Sequence, residues 1–140
     1  MIVESYVTYE TAKLLDELGL RFHTNDGPYW KIGPDGTMYY MSPIHAYTSD
    51  ENNPNAYYRP ADSYPCPTQA IVMRWLREAY KIDIDVDVYS NHSWNDSTDY
   101  CINILSHGHT IIMEKHEVFN TYEDACEAAI KYCLKNLIPA

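Results

Sequence analysis

The sequence predicts an α+β fold: a mainly antiparallel sheet with helices packed on one face, in the order helix, hairpin, helix, three-stranded meander, helix. Two observations carry this reading. Residues 67–79 and 121–137 each repeat apolar side chains at helical spacing, so each segment presents an oily stripe. Between them, Ile82, Ile84, Val86 and Val88 alternate with Asp83, Asp85 and Asp87, the pattern of a strand with one buried and one wet face. Short turns join the strands that follow, which favours antiparallel pairing with helices on one side.

The first helix is expected over 8–18, with Ala12, Leu14, Leu15 and Leu18 apolar, Val7 placed to staple onto the first turn and Gly19 as a left-handed stop. Residues 29–32 and 37–41 then flank Gly33-Pro34-Asp35-Gly36, a turn signal between aromatic and β-favouring residues, which reads as a hairpin. From 42 to 67 the chain carries Pro43, Pro54, Pro60, Pro65 and Pro67 among Asn, Asp and Ser, which excludes a long regular element and leaves a long irregular loop. Thr68 is the expected N-cap of the second helix, whose apolar positions are Ala70, Ile71, Met73, Trp75, Leu76 and Ala79. After the acidic strand, 90–98 is a polar connector, 100–105 alternates as a second strand, and Ser106-His107-Gly108-His109 turns tightly into a third over 110–114. The last helix starts at Thr121, with Asp124 three residues on as a short-armed capping box, and puts Cys126, Ala129, Ile130, Cys133, Leu134 and Leu137 on one side.

At 140 residues the chain is expected to form one domain, 1–140, large enough to bury a core without staples. It has no apolar run near the roughly 18–20 residues of a membrane span, and its N-terminus lacks a basic segment followed by an apolar one, so it reads as a cytoplasmic protein. The four cysteines agree: Cys126 and Cys133 stand about 10 Å apart along one helix at ~1.5 Å per residue, too far for a disulfide. Cys66 and Cys101 are free to pair by spacing, but nothing else suggests an oxidising compartment. The formal charge is −10, and between Lys81 and Lys115 there is no Lys or Arg while Asp83, Asp85, Asp87, Asp96, Asp99 and Glu114 fall in that interval. Phosphate backbones are held by Lys and Arg, so nucleic acid and anionic membranes are poor partners for such a face, and a protein with a basic patch is a better one.

The stretches Thr8-Tyr-Glu-Thr-Ala-Lys-Leu-Leu15, Pro67-Thr-Gln-Ala-Ile-Val-Met-Arg-Trp-Leu-Arg-Glu78 and Phe119-Asn-Thr-Tyr-Glu-Asp-Ala-Cys-Glu-Ala-Ala-Ile-Lys-Tyr-Cys-Leu134 resemble a group of small hypothetical proteins encoded by phages and prophages of gut bacteria. The resemblance spans nearly the whole chain. Its motifs are helix starts and core faces, so it implies a shared fold and a phage-encoded accessory protein of the bacterial cytoplasm without implying an active site.

Several residues are candidates for function, each beside a plainer reading. Asp83, Asp85 and Asp87 line one strand face at about 7 Å intervals; a solvated sheet face is the plainer reading, and the functional one is an acidic surface that imitates nucleic acid or captures a basic patch. His107 and His109 bracket Gly108 in a turn that His92 and His116 would approach, yet no spacing closes a four-ligand zinc site, so they are weak metal candidates and ordinary turn residues otherwise. Cys66, between Pro65 and Pro67 at a helix start, lacks an identifiable base. Tyr39, Tyr47, Tyr57, Tyr58 and Tyr64, with Tyr29, Trp30 and Tyr40, concentrate aromatic surface in the hairpin and the loop after it, as an interaction surface or as pins holding the loop to the sheet. Helix, three strands, helix is also the element order of double-stranded-RNA-binding domains, but where those carry a lysine cluster this chain reads Thr121-Tyr-Glu-Asp-Ala-Cys-Glu127.

The leading expectation is therefore a non-enzymatic accessory protein, with no cofactor, that binds a host or phage protein through the tyrosines of 39–64 and the row Asp83, Asp85, Asp87. The alternatives are a metal-assisted hydrolase built on His107 and His109, and a self-associating structural protein.

Overall fold

A computed structural model of the chain describes residues 5–20, 29–41, 62–89, 99–111 and 117–138. The order is α1 (Tyr9–Glu17), β1 (Tyr29–Ile32), β2 (Met38–Met41), β3 (Tyr64–Pro65), α2 (Gln69–Tyr80), β4 (Ile82–Tyr89), β5 (Asp99–Ser106), β6 (His109–Ile111) and α3 (Tyr122–Asn136). This is the expected α+β class and element order, with β3 added. The strands form two antiparallel three-stranded sheets, β2-β1-β3 and β4-β5-β6. The chain divides into two compact units, 6–67 and a second made of 1–5 with 68–140.

In the 6–67 unit, Thr8 caps α1 by accepting from the Thr11 amide, and the chain leaves the helix through Gly19 at φ +74°, whose amide donates to the Asp16 carbonyl. Val7, Ala12 and Leu15 are buried as their spacing requires. The hairpin turn is held by Asp35, whose carboxylate accepts from the Thr37 amide at 3.0 Å and the Thr37 hydroxyl at 2.9 Å. Those bonds hold the Asp35 carboxyl below its usual range. Sequence periodicity does not announce β3, because two residues, one of them Pro65, have none. It exists through long-range pairing with Lys31 and Ile32 of β1.

In the second unit, Thr68 and Thr121 are the N-caps of α2 and α3, accepting from the Ile71 amide at 3.2 Å and the Asp124 amide at 3.0 Å. Both helices contact β4 and each other, and α3 also contacts β5. The core between them is Val72 and Leu76 of α2, Ile82 and Ile104 of the sheet, and Ala125, Cys126, Ala129, Ile130, Cys133 and Leu134 of α3. Burying each large aliphatic side chain contributes about 1.5–3 kcal/mol. One expectation is corrected. On α2 the buried face runs through Gln69, Val72 and Leu76, while Ala70, Ile71 and Ala79 are exposed and Met73 and Trp75 half-buried. Apolar residues surround so much of this helix that composition does not single out the inward face; Trp75 is instead held edge-on by Tyr80, with ring centroids 5.1 Å apart.

The register of β4 on β5 is set where two left-handed residues meet. Lys81 (φ 57°) ends α2 and turns the chain into β4, and His107 (φ 52°) with Gly108 (φ 79°) makes the two-residue turn from β5 to β6. The His107 amide donates to the Lys81 carbonyl at 2.9 Å, tying the two turns together. A left-handed residue with a side chain costs about 1–2 kcal/mol and glycine's extra chain entropy returns part of that, so Lys81→Gly is expected to raise unfolding stability by roughly 0.5–1 kcal/mol in urea titration. A loss would show that the lysine side chain matters more than its backbone.

Burial pushes the Cys133 thiol from the ordinary 9.0 up to about 12. Its native value lies above its unfolded value, so the stabilisation is complete below pH 9.0 and is lost as pH rises toward about 12. Stability of the wild type should therefore fall above that lower value with a slope of up to about 1.4 kcal/mol per pH unit that Cys133→Ala lacks. Parallel slopes in urea unfolding of the two proteins would contradict it.

Candidate functional site

The strand β4 places its two rows as the alternation predicts. Ile82 is buried and Ile84 and Val86 half-buried on the side facing the helices, whereas Asp83, Asp85 and Asp87 are exposed on the other. Val88, at the far end of the apolar row, is 64% exposed. Across the ladder Asp83 lies opposite Leu105, Asp85 opposite Asn103 and Asp87 opposite Cys101. Residues opposite one another share a sheet face, so the carboxylates share theirs with Leu105, Asn103 and Cys101, none of which is buried. Asn103 donates to the Asp87 carboxylate at 2.9 Å, and Arg77 of α2 comes within 4.0 Å of Asp83 at the start of the row. Both side chains of that ion pair are more than half exposed, so it contributes little and leaves the row accessible.

The same unit carries a cleft of about 320 Å³ beside the first turns of α2 and α3, lined by Gln69, Met73 and Arg77 and by Tyr122, Glu123 and Cys126. Its structural centre is Gln69, which is buried; its side-chain amide donates to the Glu123 carbonyl and to the Glu127 carboxylate, both at 3.0 Å. Glu127 is only 8% exposed, so this charge-assisted bond stabilises a carboxylate held away from water. Gln69 and Glu127 escape sequence reasoning because each is a polar residue near the N-terminal end of its helix, and only tertiary contact pairs them. Burial pushes the Cys126 thiol above its ordinary range, a shift that a hydrogen bond with Tyr122 partly offsets, so the cleft holds no ready thiolate.

Tyr64 is half-buried in β3 with its ring 5.7 Å from that of Tyr9, an aromatic contact onto α1. Tyr39 is half-buried in β2. Tyr47, Tyr57 and Tyr58 lie outside the described residues, as do His92 and His116. His107 and His109 are exposed in their turn, and among the described residues no three His, Cys, Asp or Glu side chains come together to hold a metal ion. Cys66 is buried with its thiol donating to the Val7 carbonyl at 3.1 Å, a packing role. Cys101 and Cys66 are both free thiols. Among the described residues no helix is long and apolar enough to cross a membrane.

The chain matches no family model, no curated protein and no solved structure.

Removing the Gln69 amide leaves the Glu127 carboxylate without that donor, so Gln69→Ala is expected to cost about 1–3 kcal/mol in urea unfolding. A double-mutant cycle with Glu127→Gln should show coupling of about 1 kcal/mol between the two sites, and additivity would contradict the pairing.

Proposed function

We propose that this chain is a non-enzymatic accessory protein of phage or prophage type that works in the bacterial cytoplasm by binding a host or phage protein. The observation that carries the reading is the face of the β4-β5-β6 sheet turned away from α2 and α3, where Asp83, Asp85 and Asp87 stand exposed in a row. A row of like charges on a rigid strand attracts a basic surface, speeds encounter and rejects acidic competitors. The first turn of α3 adds Glu123 and Asp124 to the same unit, which disfavours a phosphate backbone as the ligand. The phage assignment rests on the sequence resemblance alone.

The test is affinity capture from host-cell lysate by the tagged wild type beside a D83N/D85N/D87N variant. One stoichiometric basic protein that is retained by the wild type at low salt, released at high salt and lost in a normally folded variant is the expected result. Equal retention by the variant would remove the acidic row from the interface.

A further inference from the structure

The strand β4 is the outer strand of its sheet: it pairs with β5 over its eight residues, and among the described residues no strand pairs with its other side. Which backbone groups face that open side follows from two bonded pairs. The His107 amide bonds the Lys81 carbonyl directly opposite, and Tyr100 exchanges both backbone bonds with Phe119, at 2.8 Å each, on the side of β5 away from β4. In an antiparallel ladder bonded and non-bonded pairs alternate, so Asp83, Asp85 and Asp87 turn their amides and carbonyls inward to β5. Ile84, Val86 and Val88, the last opposite Tyr100, turn theirs outward. Among the described residues this edge therefore combines a row of outward backbone donors and acceptors that no strand pairs, carboxylates on one face and aliphatic side chains on the other.

We infer that this edge is a strand-addition site for an extended partner segment in which Lys or Arg alternates with apolar residues. The inference rests on the acidic-face reading above and specifies its binding mode. An added antiparallel strand places residues opposite Ile84, Val86 and Val88 in bonded pairs on the aliphatic face, while their neighbours fall opposite the aspartates. Strands lie about 4.8 Å apart, within reach of a Lys or Arg side chain crossing to a carboxylate. The alternation of β4 thus selects the complementary alternation in its partner. A second copy of this chain is the wrong occupant at neutral pH, because a two-fold pairing of β4 with itself sets one aspartate row against another.

The experiment titrates the full chain at low salt with a fluorescent eight-residue peptide alternating Lys and Val, read by anisotropy. A peptide of the same composition with its lysines and valines in separate blocks should bind at least about tenfold more weakly, and D83N/D85N/D87N should lose about tenfold for the alternating peptide. N-methylation of the valine amides, which face β4 in the antiparallel register, should abolish binding, whereas N-methylation of the lysine amides should leave it. Equal binding by the two methylated peptides overturns strand addition; if the Asn variant still loses affinity, the acidic-face reading stands by itself. Absence of binding by the unmethylated peptide overturns strand addition and leaves lysate capture to decide the acidic face. Self-association of the wild type at the same pH that excludes the peptide assigns the edge to a second copy and also overturns the proposal.

Discussion

A β-strand turns successive side chains to opposite faces, so β4 packs Ile82, Ile84 and Val86 toward two helices only by holding three carboxylates in water on the other side. Slipping the register by one residue would turn Asp83 and Asp85 toward the core that holds Leu76, Ile104 and Ile130, where carboxylates without partners are costly to bury. The position of both helices, the polarity of the free sheet face and the character of the open edge all descend from that constraint. The link between the Lys81 and His107 turns enforces it at one end of the strand.

The helices are fixed to each other by a different device. Gln69 joins the first turn of α2 to the Glu123 carbonyl and the Glu127 carboxylate of α3, so the N-terminal parts of the two helices meet in space. The buried residues at the starts of α2 and α3 are in this way accounted for as caps, core and an interhelix bond. Residues selected for holding a fold do not report its ligand, and the functional reading therefore draws on the exposed strand instead.

Much of this was legible in the residues. Thr8, Thr68 and Thr121 announce helix starts because capping is local, and β4 declares its bounds because its alternation is unbroken. What was not legible depended on partners distant in the chain. The short β3 exists only by pairing with β1, the hairpin and the meander belong to separate sheets, and the inward face of α2 passes through Gln69 and Val72 rather than Ile71. Of the candidate site, the acidic row could be read from spacing. The direction of the backbone groups along its open edge required the register with β5 and the bonds of Tyr100 to Phe119. The tyrosines divide similarly: Tyr64 gains its contact with Tyr9 through folding, and aromatic composition alone does not separate such a contact from an interaction surface.

Residue-resolved amide hydrogen exchange on the free protein tests the central claim, an acidic strand with its outer edge open, most directly. Slow exchange at Asp83, Asp85 and Asp87, whose amides are bonded to β5, with fast exchange at Ile84, Val86 and Val88, is the expected result. Uniform protection along β4, or protection of the alternate set, would mean that the edge is already covered or the register is different, and would contradict it.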